Sequence, residues 1–175
     1  MTESNLQTEV RERLKVLIGS RLSLANYAGD CRLFHFGEPS GSPPCGKYAI
    51  HLQCAWRLEG SEGILTGLGD WYEPEGTEVE VDEWRPEEGG SLQEAVLHAL
   101  MADPPGSSRM IVNRTDHLVV TSVVSARCGG FCIELSGGVR LSVFPTGSRG
   151  EAWRLLEPNA DSEHFVVEGG VSRCD

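Results

Sequence analysis

From Tyr48 to Leu58 the chain alternates. Tyr48, Ile50, Leu52, Cys54, Trp56 and Leu58 are separated by Ala49, His51, Gln53, Ala55 and Arg57. A period of two is the signature of a strand with one face buried, so residues 47–58 are read as a single strand. The N-terminus follows the other period. Leu6, Val10, Leu14, Leu17 and Ile18 fall on one side of a helical wheel, which predicts a helix over residues 3–18 stopped by Gly19. Two strands are expected in residues 21–36 about Ala28-Gly29-Asp30, and a short strand about Ile64 to Leu68. A second helix should begin near Ser91, a good N-cap with Glu94 at the capping-box position.

Between residues 117 and 144, matching apolar faces sets the register. A two-residue turn at Gly129-Gly130 would oppose Cys128 to Phe131, Ala126 to Ile133 and Val124 to Leu135. For the next turn, a three-residue loop from Ser136 to Gly138 opposes Leu135 to Val139, Ile133 to Leu141 and Phe131 to Val143. It also places Glu134 across from Arg140, a favourable charge pair. Residues 164–168 add a last strand. "AWRL" occurs at 55–58 and again at 152–155, but the flanks differ, so no internal repeat is inferred. The expected class is α+β: a single domain, mainly antiparallel sheet, with an N-terminal helix and one further helix. Its parts would be the helix (1–20), a first strand group (21–68), an acidic loop (69–90), a helix (91–102), a meander with a C-terminal strand (109–168) and a tail (169–175).

Composition narrows the function classes. The chain has 175 residues, 39% hydrophobic and 23% charged, enough for one globular core. No apolar run is long enough to span a membrane, and no export signal is visible in "MTESNLQTEV", so a cytoplasmic location is expected. The net charge of −11 argues against nucleic acid and anionic lipid as partners. Six cysteines without an export signal are expected as reduced thiols.

The charge is concentrated. Residues 70–88 hold nine acidic groups and one basic one, Arg85. Trp71, Tyr72 and Trp84 are interleaved with Asp70, Glu73, Glu78, Glu80, Asp82 and Glu83, and Val79 and Val81 suggest a short edge strand. Aromatic anchors among charges of one sign suit a protein-binding surface for a basic partner. A solvated loop is the plainer alternative.

Candidate chemistry is sparse. "GSPPCGK" at 41–47 fits G-x-x-x-x-G-K, but Pro43 and Pro44 lack N–H groups, Tyr48 stands where a Ser or Thr is required, and a strand follows. "CGGFC" at 128–132 invites a metal, yet the two sulfurs would diverge in the hairpin, so no metal and no cofactor are expected. His51, Gln53 and Arg57 share one face of their strand, with alanines between them, as on the floor of a polar pocket. His35 and Cys31 would join from a neighbouring strand, and His164 with Glu168 forms another polar pair.

With "YAIHLQCAWRL", "EAWRLLEP" and "HFVVE" in view, the chain resembles a group of short uncharacterised bacterial proteins. They share a Y-A-[IL]-H-x-Q-C-x-W-R strand, an E-x-W-R segment and an H-F-V-V ending. The matching residues are Tyr48, His51, Gln53, Cys54, Trp56, Arg57, Glu151, Trp153, Arg154 and His164. The resemblance implies a bacterial, cytosolic, single-domain protein and supplies no catalytic residue. The leading expectation is a non-enzymatic interaction protein, immunity-like, using its acidic segment against a basic partner. The alternatives are a small-molecule site around His51, Gln53 and Arg57, or a structural homodimer.

Overall fold

A computed structural model describes residues 5–76, 85, 86, 89–106 and 109–175. Among the described residues, twelve strands form two antiparallel sheets. The strands are β1 (Leu22–Ala28), β2 (Cys31–Phe36), β3 (Tyr48–Leu52), β4 (Ala55–Gly60), β5 (Gly63–Gly67), β6 (Ile111–Val112), β7 (Val120–Ser125), β8 (Phe131–Leu135), β9 (Val139–Phe144), β10 (Glu151–Leu156), β11 (Phe165–Glu168) and β12 (Val171–Cys174). Seven pair in the order β12-β11-β10-β3-β2-β1-β6 and five in the order β5-β4-β9-β8-β7. With the helices α1 (Asn5–Leu14) and α2 (Leu92–Leu100), the class is α+β.

The apolar faces of the two sheets share one core. Phe34, Phe36, Ile50, Leu52 and Trp153 come from the larger sheet; Trp56, Leu58, Phe131, Ile133, Leu141 and Val143 come from the smaller. α1 packs beside β7 and α2 beside β5, so the helices close opposite edges of the five-stranded sheet.

The stretch 47–58 is two strands, not one. β3 pairs with β2 and β10, whereas β4 pairs with β5 and β9. The chain leaves one sheet for the other at Gln53-Cys54. Apolar alternation runs unbroken through the crossing because both sheets turn the same side toward the core, so periodicity alone could not reveal it.

α1 ends at Leu14 and continues as one 3-10 turn, Lys15–Leu17. Three residues per turn, rather than 3.6, rotate the stripe. Leu17 stays buried, while Ile18 is 48% exposed instead of joining the core. Ser91 caps α2 by accepting from Glu94 N–H at 3.2 Å, and the Glu94 carboxylate accepts from Gly90 N–H at 3.1 Å, one residue short of the reciprocal box.

The meander is half as expected. β8 and β9 pair in the predicted register, Leu135 to Val139, Ile133 to Leu141 and Phe131 to Val143, with Glu134 and Arg140 joined at 2.6 Å. The turn before β8 is longer than two residues. Ser125 opposes Phe131, Val124 opposes Cys132 and Val123 opposes Ile133, because a 3-10 turn at Arg127–Gly129 takes up the intervening chain. Cys128 therefore sits exposed at φ +60 instead of facing Phe131. Residues 171–174, expected as tail, are β12. β10, which carries the second "AWRL", is an inner strand of the larger sheet.

Candidate functional site

On the face of the seven-stranded sheet turned away from the core, one row of cross-strand neighbours runs Asn26, Leu33, His51, Arg154, Val166, Arg173. His35 lies in the adjacent row, opposite Ala49. Period two puts these side chains together once the strand order is fixed.

Arg154 organises the row. Its Nε and Nη2 grip both oxygens of Glu151, with Nε at 2.6 Å from Oε1, and its Nη1 donates to His164 Nδ1 at 3.1 Å. Gln53 Nε2 donates to the same Glu151 oxygen at 2.8 Å. These bonds hold the Glu151 carboxyl below its usual range, the Arg154 bond first among the causes. Residues three apart on a flat strand face opposite ways. Glu151 and Arg154 share a side because the β10–β11 register shifts between Glu151 and Trp153, a bulge at Ala152.

Two imidazoles are set differently. His35 is buried, takes the Gly46 N–H on Nδ1 at 3.4 Å, and so carries its proton on Nε2, which donates to Asn26 Oδ1 at 3.1 Å. A side chain at position 46 would put its Cβ 2.7 Å from Phe36 O, so this close approach of the loop to β2 requires glycine. His51 is half-buried, and no hydrogen bond reaches its ring from the described residues. Burial first, then electrostatic interaction with His35 and Arg154, pushes its pKa down to about 4. Cys31 lies at the margin of the cluster, its thiol pushed up to about 11 by burial and by the Glu151 charge.

The predicted pocket residues are thus divided. His51, Gln53 and His164 meet around the Glu151–Arg154 pair, with His35 alongside. Arg57 does not join them. It lies on β4 in the other sheet, pairs with Glu59 at 3.1 Å and stacks over Phe144 at 5.0 Å. The physical reason is the crossing at Gln53-Cys54, after which the neighbours are those of the other sheet. Glu151 and Arg154 were readable only as part of a motif, since the bulge that puts them on one side leaves no periodic trace. Cys132, expected on the face opposite Cys128, lies beside Ser142 Oγ at 3.5 Å on the outer side of the five-stranded sheet.

The acidic segment is described over 70–76, with Arg85, Pro86, Gly89 and Gly90 beyond it. Asp70 accepts from Gly67 N–H at 3.3 Å and so caps its own turn. Trp71 is only 4% exposed, packed against Tyr27 at 4.4 Å, and so is not an outward anchor. Tyr72 is 52% exposed, and Glu73 is exposed as well. Glu73 O accepts from Leu92 N–H at 2.7 Å and Glu75 N–H donates to Gly90 O at 2.9 Å, fastening the base of the segment to the start of α2. Glu78, Glu80, Asp82, Glu83 and Trp84, with Val79 and Val81, lie outside the described residues.

The G-x-x-x-x-G-K run leads into β3 rather than a helix, so no helix N-terminus stands behind it to hold a phosphate. No described helix is long and apolar enough to cross a membrane. Compared with family models, with curated proteins and with solved structures, the chain matches none of them.

Proposed function

We propose that the protein binds a small polar ligand on the outward face of its seven-stranded sheet, centred on His51. The observation that carries this reading is the state of the His51 ring: half-buried, neutral at physiological pH, and unbonded within the described chain, while its neighbours are mutually bonded. A neutral imidazole offers one donor and one acceptor in fixed positions. Arg154 beside it is tethered at both ends, so its orientation is set before any ligand arrives, which lowers the ordering cost of binding. The Cys31 thiol adds a polarisable edge. A pinned guanidinium beside a neutral donor–acceptor pair suits a ligand carrying a carbonyl or amide rather than a strong anion, because Glu151 already neutralises Arg154.

Ligand-observed NMR against a panel of polar fragments tests this. Fragments should bind the native chain and fail to bind His51→Ala, with Cys128→Ser as an unaffected control. Equal binding to His51→Ala, or no fragment bound by the native chain, would sink the reading.

A second reading is favoured by the fastened base of the acidic segment. Segment 70–88 would meet a basic protein partner, in the manner of an immunity protein masking a toxin. Trp71 would hold the base and Tyr72, with the carboxylates, would make the contact. Capture of a basic partner that weakens with salt and with Glu73→Gln/Glu75→Gln supports it; salt-independent capture, or none, removes it.

A further inference from the structure

Beside the end of α1 the core runs out to the surface in a hollow of about 300 Å³. Its apolar lining is Val16, Tyr48, Leu155, Leu156 and Phe165. Leu155 and Phe165 are buried core residues, whereas Val16 is 46% exposed. Three charged side chains line the same hollow: Arg13, Glu157 and Glu163.

Arg13 is held in place without being neutralised. Its guanidinium lies over the Phe165 ring, 5.4 Å from the centroid, and Nη2 donates to Cys174 Sγ at 3.3 Å, a weak acceptor. The nearest carboxylates along the helix are engaged elsewhere. Glu9 accepts from Ser172 Oγ at 2.5 Å, and Glu12 accepts from Lys15 Nζ at 2.6 Å. Lys47 Nζ stands over the Tyr48 ring at 5.1 Å and supplies a second cation. Among the described residues, none of Arg13, Lys47, Glu157 and Glu163 enters an ion pair. Two positive and two negative groups thus surround one apolar hollow, too far apart to pair, and leave a gap that a ligand bearing both signs can bridge.

We propose that this hollow binds a free α-amino acid with an apolar side chain. The ligand carboxylate meets Arg13, its ammonium meets Glu157 and Glu163, and its side chain covers the apolar lining. The balanced charges select a ligand of no net charge, and their separation selects a zwitterion over a neutral amide. A peptide bond would remove one of the two charges from the head group. The volume lies at the lower end of the range for small-molecule sites, and the lining favours leucine or phenylalanine over glycine. Because Arg13 is already stacked on Phe165, little ordering cost remains for it on binding. The site shares no residue with the cluster around His51, so either assignment stands without the other.

The test titrates the full chain with leucine, phenylalanine, glycine and two charge-deleted forms, N-acetylphenylalanine and phenylalaninamide, by calorimetry and by methyl NMR. Leucine or phenylalanine should bind and shift the methyl signals of Val16, Leu155 and Leu156. Glycine and both charge-deleted forms should bind roughly tenfold or more weakly, as loss of apolar contact or of a charge-assisted hydrogen bond requires. Arg13→Gln should lower phenylalanine to the affinity of phenylalaninamide, and Glu157→Gln/Glu163→Gln should lower it to that of the N-acetyl form. If a variant does not fold, the ligand series on the native chain decides alone. No binding of leucine or phenylalanine, equal binding of either charge-deleted form, or shifts confined to other methyls would overturn the proposal.

Discussion

Trp153 donates its indole N–H to Gly129 O at 2.8 Å, tying an inner strand of the seven-stranded sheet to the turn that precedes β8 in the other. Both groups are buried, and Trp153 also meets Phe131 edge-on at 4.8 Å. Trp153→Phe keeps most of the ring packing but leaves the Gly129 carbonyl unsatisfied, so a loss of about 1–3 kcal/mol is expected in urea melts. Gly129→Ala should be at least as costly. Its φ is +80, and the new Cβ would stand 2.5 Å from Val167 Cγ1.

The imidazole of His51 gives a pH prediction. Its ordinary value is 6.5 and its folded value about 4. Between these, the unfolded chain binds a proton that the folded chain refuses, so stability falls as pH drops from 6.5 toward 4 and levels below. His51→Gln removes this contribution while leaving the other titrating groups in place. The difference between native chain and variant in urea melts should therefore shift against the native chain on acidification, and the His51 ring should titrate near 4 by NMR.

Thiol reactivity should separate the six cysteines. Cys128 and Cys174 are exposed, whereas Cys54 is buried with its thiol pushed up to about 12, and Cys31 is raised to about 11. The thiolate is the reactive form, so two units of elevation cut its population about a hundredfold. Mass-resolved iodoacetamide labelling should mark Cys128 and Cys174 first and reach Cys54 only on unfolding.

Asp103 anchors the short edge strand β6. Its carboxylate accepts from Val112 N–H at 2.9 Å and from Arg114 Nε at 2.6 Å, and together these outweigh burial and lower its pKa. Asp103→Ala should cost about 1–3 kcal/mol by chemical denaturation. Asp103→Asn should cost less, since an amide oxygen can still accept from Val112.

The sequence made legible whatever depends on local chemistry. The β8–β9 register followed from a glycine-bearing loop and from Glu134 facing Arg140, and both features act within a few residues. It failed where a partner strand or an unusual dihedral decides. Cys128 adopts a left-handed conformation that carries no signal in residue type, and this lengthened the preceding turn. The bulge at Ala152, which brings Glu151 and Arg154 together, arises from pairing with β11 and leaves alternation along β10 almost intact. His51 and Gln53 were legible as neighbours, because the chain has not yet left its sheet; Arg57, four residues on, was not. The two "AWRL" copies show the same limit. Trp56 and Trp153 both point into the core and Arg57 and Arg154 both point out, each beside a glutamate, yet they belong to different sheets.

The crossing at Gln53-Cys54 also governs how the molecule comes apart. Neither layer can be lifted away intact, since one short length of chain is woven into both and is flanked by partners drawn from early and late in the sequence. Opening either layer pulls on the other, so denaturation should proceed as a single cooperative event with coincident transitions by every probe.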